Sequence, residues 1–198
     1  ASGIWSSYIR YIGAGALAAG GIISLIKSLP LIVRTFRDSM KSFNIMGGKG
    51  TERTAQDISM TVVLIAILVL TLLVWLVPAI PVSLVGAIIV VIFGFFFATV
   101  SSRMVSLVGS SNNPVSGMAI ATLLIAPLIL KICGEIGAAG MHAAIAIGSI
   151  ICIVAAISGD TSQDLKTGFL LGATPKKQQY AEVIGVVASA LAIGGTLY

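Results

Sequence analysis

Two polar stretches interrupt an otherwise oily chain, and both hold residue types that can bind a solute or move a proton. The first is Ser110-Ser111-Asn112-Asn113-Pro114-Val115-Ser116-Gly117-Met118. Asn112, Asn113 and Ser116 supply amide and hydroxyl groups, donors and acceptors together. Pro114 lacks a backbone donor and Gly117 tolerates unusual dihedrals, so helix is disfavoured before this point. Non-helical backbone at membrane depth survives only where it is buried in protein or lines a watery cavity. Broken membrane helices use that setting to aim their ends at a solute or ion. The other reading is a polar loop followed by an ordinary helix with Pro114 in its first turn. The second stretch is Gly159-Asp160-Thr161-Ser162-Gln163-Asp164-Leu165-Lys166-Thr167-Gly168. Asp160 and Asp164 stand one helical turn apart, with Gln163 and Lys166 beside them. Such a turn could face a cavity and hold a cation or proton, or it could be a solvated loop.

Other ionisable residues sit inside or beside apolar runs, where a charge at a helix centre costs roughly 2.5–3.5 kcal/mol. Lys27 lies near the end of its run, so its ammonium can snorkel to the interface. Lys131 and Glu135 are four apart, in the weaker order for a helical ion pair. His142, the only histidine, opens a later run. Glu135 or His142 could relay a proton, or each could simply be solvated at a helix end. No nucleotide-binding loop, haem motif, metal-ligand spacing or catalytic triad is present. Cys133 and Cys152 fall in or beside apolar segments as small hydrophobes, without a disulfide framework. The expectation is a non-enzyme with no catalytic residues, no metal site and no cofactor.

The elements that must position these residues follow from composition. Apolar residues make up 57% of the 198 and charged ones only 10%, against about a quarter charged in soluble domains. Mean hydropathy is +1.07. A water-exposed surface needs the missing charges, so lipid must be the solvent for much of this chain. A bilayer core about 30 Å thick takes roughly 20 apolar residues per helix. Candidate spans lie near 11–33, 58–77, 82–100, 114–130, 141–158 and 183–198, and the fourth could be re-entrant instead of a simple crossing. The predicted fold is all-α, a polytopic transmembrane helix bundle of about six spans. The connecting segments 34–57, 101–113 and 159–180 carry most of the Lys and Arg, among them Arg37, Arg103 and Lys176. Alternate connections are basic, which sets those three on the cytoplasmic side. The net charge of +5 is spread over these loops and not along one face, which argues against nucleic acid as a partner. In the first span Gly13, Gly15, Gly20 and Gly21 form a small-residue surface suited to close helix packing, with a substrate path along bare backbone as the other reading.

Three segments together resemble one family. Gly159 to Tyr180, GDTSQDLKTGFLLGATPKKQQY, looks like a hallmark of the oligopeptide transporters, a family that includes the yellow-stripe-like metal-chelate carriers. Arg10 to Pro30 and Ser110 to Met118 resemble the same family. The resemblance implies a secondary active transporter of a bacterial inner membrane, driven by a proton gradient. It would carry small oligopeptides or peptide-like metal chelates by symport. Similar proteins are much longer, so the expectation is an interior piece that completes its path with the remaining spans of the same transporter. The absence of a starting methionine and the end inside an apolar run point the same way. The spacing Asn113-Pro114-Val115-Ser116-Gly117 departs from the compact Asn-Pro-Gly of the eukaryotic peptide-carrying branch, which leaves peptide and metal chelate both open. Asn112, Asn113, Pro114, Ser116 and Gly117 are then candidates for the substrate path, and Asp160, Gln163, Asp164 and Lys166 for a gate or coupling site. The alternative is a non-transporting membrane scaffold or assembly subunit that packs through its glycine faces.

Overall fold

A computed structural model describes residues 53–109 and 113–197 continuously, with scattered positions between 8 and 37. The described positions between 11 and 37 are helical and exposed. Gly13, Gly15 and Gly20 are among them, each with open space where a Cβ would sit; Gly21 and Asn112 lie outside the described residues. Beyond a short 3-10 turn at Arg53–Ala55 come α1 (Met60–Leu76), α2 (Leu84–Val108), α3 (Val115–Ile132), α4 (Gly137–Leu170) and α5 (Pro175–Leu197). The described part is all-α and consists of apolar helices, four of them long enough to cross a membrane, with α1 shorter at 17 residues.

Local chemistry sets the ends of these helices. Ser83 caps α2 by accepting from the Gly86 N–H at 3.1 Å, which satisfies one of the first turn's free donors. The helices α3 and α4 both stop in a Schellman turn. After α3, the Glu135 N–H donates to the Leu130 carbonyl at 2.9 Å, and Gly134 adopts φ +90°. After α4, the Ala173 N–H donates to the Gly168 carbonyl at 2.8 Å, and Gly172 adopts φ +72°. A residue with a Cβ resists that left-handed backbone, so the stops fall where the glycines are.

Two expected loops are largely helix. The segment expected as a loop over 101–113 is helical through Val108, and the one expected over 159–180 is helical through Leu170 and again from Pro175. Hydropathy marks where a helix leaves lipid, not where its backbone hydrogen bonds end. Asp, Gln, Lys and Thr in the polar stretch are all compatible with helix, so α4 continues until Gly172. Its 34 residues span about 51 Å, well beyond a hydrocarbon core of about 30 Å. The polar third of α4 therefore projects past the apolar layer.

The helix α4 is the axis of the bundle, packed against α2, α3 and α5. It runs parallel to α2, with Gly86 against Ile147, Gly94 against Ile151 and Ser101 against Ala155. It runs antiparallel to α3, with Leu123 against Gly148. The buried face of α4 runs through Gly140, Ala144, Gly148, Ile151, Ala155, Gly159 and Ser162, three or four residues apart, so one stripe faces its neighbours. Phe97, Val100, Met118, Leu130, Ile147 and Ile151 fill the space between. No residue of α1 or α5 is buried.

The tightness of this seam is testable. A Cβ on Gly148 would lie 2.5 Å from Leu123 Cδ2, so that side chain must move. Leu123 is 43% exposed and can swing toward lipid, so Gly148→Ala should melt close to the parent. In the full-length protein Gly148→Leu, which a rotamer change of Leu123 cannot accommodate, should lower stability by about 1–3 kcal/mol, read as an earlier thermal transition in detergent. Equal melting of Gly148→Leu and the parent would mean the helices are not held this close.

Candidate functional site

Where α2 passes α4 beside the start of α3, serines replace apolar side chains in the seam. Ser101 is fully buried and donates to the Ala155 carbonyl of α4 at 2.5 Å. Asn113, in the link before α3, reaches the same place. Its Nδ2 donates to Ser101 Oγ and to the Ala155 carbonyl at 3.0 Å. Both Nδ2 protons are thereby used, and the amide is oriented: turning it over would point Oδ1 at a carbonyl oxygen. Oδ1 is buried and has no hydrogen-bond donor among the described residues. An acceptor left in that state costs roughly 1–3 kcal/mol.

Gly159 makes the junction possible. A Cβ there would come within 3.0 Å of Asn113 Nδ2, 3.2 Å of Ser101 Oγ and 3.2 Å of Val105 Cγ2. One turn further, Ser162 Oγ donates to the Ser102 carbonyl at 2.8 Å and lies 2.6 Å from Ser106 Oγ. Because the Ser162 proton is already given to Ser102, Ser106 is the donor in that pair. The Lys166 ammonium finishes the row on the Ser106 carbonyl. Hydroxyls, one amide and one ammonium thus join α2, α4 and the link before α3 along about three turns of α4.

The residues singled out from sequence are divided by this geometry. Asn113 enters the junction. Pro114 stands at the N-cap position of α3 with φ −76° and ψ 49°, so the helix begins at Val115, after the proline. Gly117 is buried in the first turn and Ser116 is exposed. On α4, Asp160 and Asp164 are exposed and Gln163 is half-buried; Lys166 joins the Ser106 carbonyl and not an aspartate. Sequence reasoning passed over Ser101 and Ser106, and it gave Gly159 and Ser162 no role of their own within the second polar stretch. A signal for them existed: Ala155, Gly159 and Ser162 continue the spacing of small residues that runs up α4 from Gly140.

Two further features complete the surroundings. A cleft of about 390 Å³ opens between α3 and the start of α4, bordered by Pro127, Lys131, Glu135, Gly140 and Met141. At the opposite end, Arg53 donates to the Gly172 carbonyl at 2.7 Å and to Thr174 Oγ1 at 3.3 Å. The Lys176 N–H donates to the Gln56 carbonyl at 2.9 Å, and the Ile58 N–H to Gln179 Oε1 at 3.1 Å. These bonds pin the segment before α1 onto the α4–α5 turn.

Long apolar helices joined by a buried polar cluster define an integral membrane helix bundle. A family profile described as OPT oligopeptide transporter protein matches residues 1–197, and the chain belongs to that family. It is 32% identical over 221 aligned positions to a Haemophilus influenzae protein provisionally named an oligopeptide transporter. That alignment covers 98% of this chain and 34% of the relative, so the chain spans about a third of the relative's length. No solved structure matches it. The apolar helices and the bacterial relative make it an integral protein of the bacterial plasma membrane.

The hydroxyl junction should behave as one unit. Ser101→Ala should cost about 1–3 kcal/mol by stranding an Nδ2 proton of Asn113, and Asn113→Ala should cost less, because it also removes the unmet Oδ1 and leaves the Ala155 carbonyl its bond from Ser101. The double variant should cost clearly less than the sum, because both remove the same contact. Strict additivity in thermal unfolding of the full-length protein would count against a shared network.

Proposed function

We propose that this chain forms part of the transport domain of a secondary active transporter that moves small oligopeptides across the membrane by proton-coupled symport. Peptide-like metal chelates are the second substrate class, because the Asn113-to-Gly117 spacing favours neither. Family membership along nearly the whole chain carries the reading. The junction at Asn113 supports it, since an oriented amide with a free acceptor at a helix start is what a peptide N–H can engage. Asn113, with its neighbours Asn112, Pro114, Ser116 and Gly117, would border the substrate path. The projecting turns of α4 with Asp160, Gln163, Asp164 and Lys166 would form the cytoplasmic gate.

The orientation follows from charge and is supported by contacts. The basic segments 34–57, 101–113 and 159–180 would face the cytoplasm. Arg53 bonds to Gly172 and Thr174, which brings the first and third of these together. Asn113 lies against Gly159, which brings in the second. One end of the bundle thus collects the loops that the charge rule assigns to one side.

In the full-length transporter, at normal membrane levels, Asn113→Ala and Asp164→Asn should each abolish uptake of labelled tripeptides by whole cells. Uptake equal to the parent would remove both residues from the transport path. A parent protein that yields stable partner proteins on purification and no solute flux would favour a scaffold instead.

A further inference from the structure

Glu182 has no part in the junction, yet its setting is unusual for a carboxylate. It opens the longest uncharged run of α5, Val183 to Leu197, on a helix with no fully buried residue. Glu182 itself is half-buried, and its Oε1 is buried with no donor among the described residues. One turn earlier Gln178 repeats the pattern. Its Nε2 donates to the Asp164 carbonyl at 3.2 Å, while its Oε1 is buried without a donor. Gln178 lies so close on Gly168 that a Cβ there would fall 2.1 Å from Oε1. That contact identifies the face of α5 turned to α4, and the four-residue spacing puts Glu182 on the same face.

Two buried acceptor oxygens, one turn apart, lack one donor between them. An ionised carboxylate can only accept, whereas a protonated one carries an O–H. One proton on Glu182 would therefore supply the donor that this pair lacks. Gln178 Oε1 is within the reach of side chains spaced by one turn. The charged groups on the elements packed around this stretch are Asp160, Asp164 and Lys166 on α4, with Arg53 and Asp57 before α1. Lys176 and Lys177 stand in the first turn of α5 itself. Arg53 is committed to Gly172 and Thr174, Asp57 accepts from Gln179, and none of them bonds the buried Oε1 of Glu182. Gly168, and with it α5, lies on the side of α4 roughly opposite Gly159, so this pair is set apart from the Asn113 junction by the body of α4.

We propose that Glu182 is the group that binds and releases the transported proton, with Gln178 accepting the hydrogen bond of its protonated form. The proton enters from one aqueous side, resides on the carboxyl, and leaves to the other side as the α4–α5 contact opens. This rests on the reading of the chain as part of a proton-driven carrier.

The test uses the full-length transporter in liposomes and a labelled mixture of tripeptides. Two fluxes are measured: accumulation driven by an imposed proton gradient, and counterflow exchange without one. Glu182→Gln should lose gradient-driven accumulation to the level of protein-free liposomes while counterflow stays close to the parent. Glu182→Asp, which keeps the acid, should retain gradient-driven accumulation with a shifted pH profile. Parental accumulation in Glu182→Gln overturns the proposal. So does joint loss of accumulation and counterflow in both variants at normal reconstitution, which marks a structural role. A parent that exchanges tripeptides but ignores the gradient overturns the proton site while leaving a carrier. A parent with neither flux overturns the carrier reading itself.

Discussion

How closely α4 can approach α2 and α3 is the constraint on which the described bundle depends. Between helices in lipid there is no water to expel, so association relies on van der Waals packing and on hydrogen bonds across the seam. Both weaken steeply with separation. Along α4 most of the buried positions from Gly140 to Gly159 are small, and Leu123 of α3 covers Gly148. In return Ile147 and Ile151 of α4 enter the room over Gly86 and Gly94 of α2. A wider spacing would lose these contacts together.

The same closeness makes the polar junction work. Ser101 and Asn113 have short side chains, so they reach the Ala155 carbonyl only because Gly159 leaves that stretch of α4 bare. In an apolar surrounding each unmet polar group is costly, and the serines, asparagine and lysine meet one another's needs across α2, α4 and the link before α3. What remains is one buried amide oxygen on Asn113. Close packing thus generates a fixed, directional acceptor at the point where α3 starts.

The helix α4 separates two kinds of surface. Toward α2 and α3 it presents glycine, alanine and serine, with the junction at their level. Toward α5 it presents Gly168 and the Asp164 carbonyl, on which Gln178 rests with Glu182 one turn deeper. In the symporter proposed here, substrate and driving ion would need separate contacts that one moving element can affect together, and a single long helix between them can couple the two. The segment pinned by Arg53 to the α4–α5 turn ties that element to the basic end of the bundle.

Much was legible in the residues alone. Scarcity of charge required lipid, and runs of apolar residues required helices. The polar motifs pointed to the family that the comparison shows. Each of these depends on composition or local order, which a linear reading captures. Tertiary structure decided the rest. Val108 and Leu170 as helix ends escaped a hydropathy reading, because hydrogen-bonded backbone continues past the edge of an apolar run until a left-handed glycine stops it. Ser101 looked like one polar residue beside a loop, yet it lies at the centre of the site, 54 positions from the carbonyl it bonds. Asn113 and Asp164 both drew attention as motif residues, but only Asn113 has its side chain held in the seam. Sequence determined which solvent the chain meets and that its apolar runs are helices. Three-dimensional packing decided which polar groups meet, because that depends on helix rotation and spacing, and these are set by side-chain volumes on facing helices far apart in the chain.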